Sequence, residues 1–223
     1  MPTRNPFFVA LLLLLILTGA GCRNSAITAL EAKEPPVGPT LLGNHDAREQ
    51  RFYKLFNMEG KLYYKFRPKS EVSFFAFEST YPEPEEIEWL EKELKASSSD
   101  WNIVFFHHPL YSSGDRHGSD LRLREVLEPL FVKYNVSVVL NGHDHFYERI
   151  KPQKGITYFV VGSGGKLREG NIDRSTGLTA RGFDTDLAFM AAEITGTEMY
   201  FNAISRQGQI VDSGVLTCRK IEP

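Results

Sequence analysis

The sequence predicts an α/β fold, with a parallel strand–helix–strand part followed by antiparallel C-terminal strands. Three observations predict it. Residues 102–106 and 136–140 are apolar almost throughout, as strands buried on both faces of a parallel sheet must be. A helical pattern lies between them, and another precedes them. Beyond residue 156 the pattern changes to strand-like runs joined by glycine turns.

The chain begins with Arg4, an apolar run over 7–17, the small residues Gly19, Ala20 and Gly21, and then Cys22. This is the order of a secretory signal peptide, expected over residues 1–22. The run is too short to span a hydrocarbon core of roughly 30 Å as an ordinary helix. Gly21 and Cys22 resemble a lipoprotein cleavage site, where the cysteine would carry lipid. An ordinary signal peptide and a retained membrane anchor are the alternatives. The expected location is therefore exported, periplasmic or extracellular, with lipoprotein-type membrane anchoring as one form of it. Residues 23–39, with Pro35, Pro36 and Pro39, read as a linker. The other cysteine is Cys218, so a disulfide framework is not expected.

The domain is expected over 40–217. Residues 40–42 are apolar and end in Gly43-Asn44-His45-Asp46. A short helix is expected over 48–57, then strands over 62–66 and 72–77, separated by Arg67-Pro68-Lys69-Ser70. A helix follows over 82–99. Pro84 sits near its start, glutamates crowd its first turns, and Ile87, Leu90 and Leu94 form a buried stripe. Strand 102–106 ends in His107-His108-Pro109, and the next loop carries His117. Ser119 is expected to cap a second helix reaching about residue 134, with Leu123, Val126, Leu127 and Leu130 inward and Pro129 kinking it. Strand 136–140 ends in Asn141-Gly142-His143-Asp144-His145. Runs 156–161, 187–194, 198–204 and 210–216 read as an antiparallel meander. Residues 162–186 read as a long polar loop. Its Gly162-Ser163-Gly164-Gly165 is a weak phosphate-loop signal, because no helix pattern follows; a simple flexible loop is the plainer reading.

The formal net charge is -2, and lysines and arginines are scattered without an aromatic-interleaved stripe. That argues against a nucleic-acid partner. Five of the six histidines, all but His117, lie in three segments that each follow an apolar run and open a loop. Ligands gather at the carboxyl ends of strands in open α/β sheets. The histidines of two neighbouring strands should therefore converge on a metal. His143 and His145, two residues apart, face one side and suit one metal or one each of two.

These segments, with the run Gly142-His143-Asp144-His145-Phe146-Tyr147-Glu148-Arg149, resemble the third, fourth and fifth motifs of the calcineurin-like metallophosphoesterases. Tyr147-Glu148-Arg149 is similar to the purple-acid-phosphatase branch. The resemblance implies a two-sheet sandwich flanked by helices, and phosphoester hydrolysis at two metals such as Fe, Zn or Mn. It implies Asn44, His107 and His143 as ligands of the second metal and His145 as a ligand of the first. It implies that His45 stands near substrate, stabilising the phosphoryl transition state or protonating the leaving group. His117 is implied as a substrate-binding or proton-donating residue, against an exposed loop residue. His108 is implied to lie behind the ligands or on the surface.

Two earlier motifs of that family, Asp-x-His (or Asp-x-Gly) and Gly-Asp, are not in this sequence. No aspartate precedes Asp46, and the earlier carboxylates are Glu31 and Glu34. The expectation is thus an incomplete metallophosphoesterase β-sandwich with an incomplete binuclear site. The resemblance implies a phosphatase by descent. Its alternatives are an inactive remnant or binding protein, a truncated gene model of a longer phosphatase, or a site completed by a partner chain.

Overall fold

The structure is a computed structural model that describes residues 15–16, 40–54 and 57–219. The expected signal peptide (bar its residues 15–16), the linker and Cys22 lie outside the described residues.

Two sheets form a sandwich. The larger has seven strands: β2 (Tyr64–Lys69), β3 (Val72–Ala76), β4 (Trp101–Phe106), β5 (Val136–Asn141), β6 (Tyr147–Ile150), β7 (Thr157–Val161) and β8 (Thr179–Phe183). Their order across the sheet is β2-β3-β4-β5-β7-β6-β8. The smaller holds β1 (Leu15–Ile16), β9 (Ala188–Thr195), β10 (Glu198–Ser205) and β11 (Ile210–Thr217), in the order β1-β9-β10-β11. Helices α1 (Pro84–Lys95) and α2 (Leu121–Lys133) cover the outer face of the larger sheet.

Successive residues of a strand point to opposite faces, and this divides the core in two. Phe74, Ile103, Leu140 and Phe159 pack inward against Met190, Ala192, Met199 and Phe201 of the smaller sheet. Phe75, Val104, Phe106 and Val139 pack outward against Leu90 and Leu94 of α1 and Leu127 and Phe131 of α2. Both faces are buried, so the central strands are apolar throughout rather than alternating. Burying a leucine such as Leu90 stabilises the fold by roughly 1.5–3 kcal/mol. Trp101 ties the two sheets together, its Nε1–H donating to the Gly196 carbonyl at 2.9 Å.

Strands β3, β4, β5 and β7 are mutually parallel. Register sets the site: Phe106 pairs with Asn141, so β4 and β5 end level with each other. The residues just beyond, His107 and Gly142, are then joined by a Gly142 N–H to His107 carbonyl bond of 3.1 Å.

Several expectations need correction. The run 156–161, expected in the antiparallel meander, is β7, which pairs antiparallel with β6 but parallel with β5; the C-terminal meander is β9, β10 and β11. The reading of 162–186 as one loop misses β8, an edge strand whose polar residues carry no alternating apolar signal. Strand β6 was also unforeseen as a strand. The helix expected over 48–57 is a 3-10 turn at Arg48–Phe52. Asp120, not Ser119, caps α2, its Oδ1 accepting from the Leu123 N–H at 3.0 Å. Ser119 instead bonds across its own loop to Ser112. Val126 faces solvent at 44% exposure, because Leu123 and Leu127 already fill the sheet-facing stripe.

Candidate metal centre

Loop 43–46, the end of β4 and the turn after β5 bring three of the expected ligands together. Asn44 Oδ1 lies 2.8 Å from His107 Nε2, and His143 Nδ1 lies 3.1 Å from that same nitrogen. Close packing fixes this arrangement. A methyl group at Gly43 would meet the His107 ring at 2.7 Å, so only glycine lets the Asn44 loop approach. His143 adopts φ +66°, left-handed backbone that non-glycine residues take at a cost and that tends to mark functional sites. A methyl at Gly162, just beyond β7, would meet the Asp144 carbonyl oxygen at 2.0 Å. The glycine is what lets β7 pass beside the His143-x-His145 turn.

The Asp144 carboxylate faces the 112–114 loop and lies within electrostatic reach of His117. It is fully buried and accepts from Ser112 Oγ–H at 2.6 Å. It thereby braces the loop that carries His117, and the His117 ring rests 4.4 Å from the His143 ring. His45 is exposed on its loop tip and stands within electrostatic reach of His107, His117, His143 and His145.

His108, expected to lie behind the ligands, joins the group. Ligand atoms of His107, His108 and His143 all fall within 4.8 Å of one another. The His108 and His143 rings are 4.5 Å apart, and His108 Nδ1 pairs with Ser79 Oγ at 3.0 Å. His145 is outside this trio but within electrostatic reach of His107 and His143, and its Nδ1 is buried without a partner among the described residues.

Burial, reinforced by neighbouring imidazoles, pushes His107 and His143 down to about 3. Burial, then the charges of Arg168 and Lys166, pushes His145 down to about 4. Burial likewise lowers His108 and His117. These rings are neutral near pH 7, so their nitrogen lone pairs are open to a cation without proton competition. The fit to one metal is good. Ligands held at about 2.0–2.1 Å around a tetrahedral ion stand roughly 3.3 Å apart, close to the 2.8 and 3.1 Å separations here. Asn44, His107 and His143 contribute only neutral donors, which suits one dication and leaves the mutual repulsion of two uncompensated.

The resemblance gave His108 a place behind the ligands or on the surface, and Lys166 and Arg168 were not singled out from sequence. A histidine adjacent to a ligand gives no signal of its own. The two cations sit in a loop whose path toward His145 only the fold reveals.

The profile of the family described as calcineurin-like phosphoesterase matches residues 22–147. The chain is 42% identical over 80 residues to Fe(3+)-Zn(2+) purple acid phosphatase 12 of Arabidopsis thaliana, covering 34% of this chain and 17% of that protein. It is 31% identical over 146 residues to purple acid phosphatase 15 of the same plant, covering 58% of this chain and 27% of that protein. The chain thus spans about a quarter or less of the length of these curated relatives. In fold it is similar to the purple acid phosphatase PPD1 of yellow lupin (Lupinus luteus), with a TM-score of 0.59, 23% identity, and 71% of this chain and 33% of that one covered.

Proposed function

The chain belongs to the calcineurin-like phosphoesterase family, in its purple-acid-phosphatase-like branch, and from that premise we propose that it is a metal-dependent phosphoester hydrolase. The observation that carries this reading is the convergence of Asn44 Oδ1 and His143 Nδ1 on His107 Nε2. Asn44, His107 and His143 would hold one cation, Fe, Zn or Mn, and His145 would contribute to a second. A bound metal of this kind draws charge from phosphate oxygens and makes its water acidic enough to supply hydroxide near neutral pH.

The remaining tasks fall to the chain's own side chains. His45, exposed beside Asn44, donates a hydrogen bond to the charge growing on the phosphoryl oxygens or a proton to the departing alkoxide. His117, its ring tilted against that of His143 at 4.4 Å, orients the substrate or shares that proton transfer. Asp144 holds the His117 loop through Ser112 and takes no part in the chemistry. Ligand rings kept neutral by burial leave their lone pairs to the metal.

A second reading, an inactive remnant that binds without turning over, is favoured by one specific feature. No aspartate precedes Asp46 in this sequence, and the earlier carboxylates are Glu31 and Glu34. The two readings separate on one protein preparation. Metal per folded chain is measured by elemental mass spectrometry, and hydrolysis of an aryl phosphate is then assayed with Mn, Fe and Zn. The hydrolase reading expects turnover that His45→Ala abolishes while metal stays bound. Bound metal with no turnover under any of the three selects the binding reading, and a folded chain that takes up no metal rules out a metal-dependent function.

Export, with lipid attached at Cys22 as one form, belongs to the same proposal. Among the described residues no helix is long and apolar enough to cross a membrane. Cell fractionation of wild type and Cys22→Ser tests the anchor, which predicts release of the variant from membranes.

A further inference from the structure

The glycine run after β7 is not explained by the metal ligands. It leads through Gly164 and Gly165 to Lys166 and Arg168, and the Arg168 N–H donates to the His145 carbonyl at 2.9 Å. That bond pins the loop to the site. The Arg168 side chain is then left in an unusual state. Its Nη1 is buried and has no hydrogen-bond partner among the described residues. His145 Nδ1 is in the same condition. Arg168 is in electrostatic reach of Asp144, but forms no ion pair with it; Asp144 is turned toward Ser112.

A guanidinium nitrogen shut away from water and acceptors is costly, and native proteins leave few such groups without a reason. Arginine is also the side chain best shaped to hold a tetrahedral oxyanion, because its planar fork gives two parallel N–H donors. The position adds to the argument. A fixed cation within electrostatic reach of both His145 and His117 attracts an anion lying among them. Lys166, exposed on the same loop and within electrostatic reach of His145, adds to the attraction.

We propose that Arg168, with His145 beside it, is the receptor for the phosphoryl group, a phosphate-monoester or inorganic-phosphate site built by the glycine loop next to the metal cluster. The proposal rests on the phosphoesterase reading for the identity of the anion, whereas the binding itself requires no metal. Arg168 is a substrate-positioning residue in this scheme, taking over part of the charge that a second metal would otherwise provide.

The test uses the full chain and inorganic phosphate, by calorimetry and thermal unfolding, with and without chelator. Wild type should bind phosphate and be stabilised by it in both conditions. Arg168→Gln should weaken that affinity at least tenfold, Arg168→Lys should recover part of it, and Lys166→Gln should cost a few-fold. Without phosphate, Arg168→Gln should unfold at the same temperature as wild type or higher, since a buried N–H group without a partner has gone. A purely structural arginine would instead lower that temperature. Unchanged phosphate affinity in Arg168→Gln overturns the proposal, as does phosphate binding that appears only with added metal and ignores position 168. In that last case the phosphoesterase reading survives. Phosphate binding that depends on Arg168 without turnover under any metal does the reverse, keeping the receptor and sinking the hydrolase. Should Arg168→Gln not fold, Arg168→Lys decides: it loses the fork and must still bind phosphate several-fold more weakly.

Discussion

Two buried polar clusters sit a few residues apart in the chain and are built on opposite plans. At β6, every strong acceptor is answered. Glu148 accepts from the Ser113 N–H at 2.9 Å and from the Thr179 hydroxyl. Asp212 of β11 accepts from Tyr147 Oη–H at 2.8 Å and from Arg149 Nε–H at 2.7 Å and Nη2–H at 3.1 Å, bridging the two sheets. At the candidate metal centre the opposite holds. His145 Nδ1, Arg168 Nη1, Asp144 Oδ1 and Ser163 Oγ have no partner among the described residues, and His143 is in strained backbone. A closed network specifies and stabilises a fold. An open one is costly unless a ligand completes it. The difference separates the part of the Tyr147-Glu148-Arg149 segment that holds the sandwich together from the part of the neighbouring turn that is left for chemistry.

The largest effect should come from opening the closed cluster. Asp212→Ala strands Arg149 and the Tyr147 hydroxyl and should cost about 3 kcal/mol in chemical denaturation, with metal content unchanged. A loss below about 1 kcal/mol would remove the contrast, since that is the range of an exposed pair.

Next comes the converse substitution. His143→Ala removes a ligand and should weaken Zn affinity about 100-fold, or about 2.7 kcal/mol. The metal-free protein should lose little stability, because the ring is only half-buried and lies outside both halves of the apolar core. A large loss of stability in the metal-free form would make His143 a core residue.

A smaller effect is expected with pH. In the metal-free chain His107 and His143 sit at about 3 and His145 at about 4, whereas an unfolded histidine is near 6.5. Below that value the unfolded chain binds protons that the folded chain refuses. Stability should therefore fall as pH drops from about 7 toward 4, and saturating Zn, which binds the neutral rings, should raise the midpoint throughout. His145→Gln should make the decline shallower. A flat profile would mean the rings are accessible to protons in the folded state.

The smallest effect concerns Glu86, whose buried carboxyl is pushed up to about 8 mainly by burial, while it accepts from the Glu78 N–H. Its sign is opposite: the raised value makes its contribution decline as pH rises from about 4.5 through 8. Glu86→Gln keeps the acceptor and cannot ionise, so it should gain stability over wild type above pH 8 and match it near pH 4. Equal curves at both ends would place Glu86 in contact with water.

Much of the fold was legible because it follows from periodicity. Apolar runs gave β4 and β5, and the stripe Ile87, Leu90 and Leu94 gave α1. Strand β8 was hidden because an edge strand over Thr179–Phe183 buries little and carries no alternation. The parallel place of β7 was hidden because pairing partners are not encoded locally. For the site, a histidine at a strand end was a strong signal. That His108 turns toward His143 depends on the Ser79 bond, which no spacing rule anticipates.

By itself the sequence determined which residues could do chemistry. Asn44, His107, His143 and His145 stand at the ends of apolar runs, and neutral nitrogen and amide oxygen donors at strand ends limit the options to a few metals. Only the tertiary structure decided how they are used. Level register of β4 and β5 brought His107 to His143, and the glycine at position 43 let Asn44 close on the same point. The loop after β7 carried Arg168 to His145 with a nitrogen unmatched. Donor type is a property of a single side chain, so the sequence states it outright. Convergence and burial depend on which strands pair and which atoms lose water, and only the folded chain determines those.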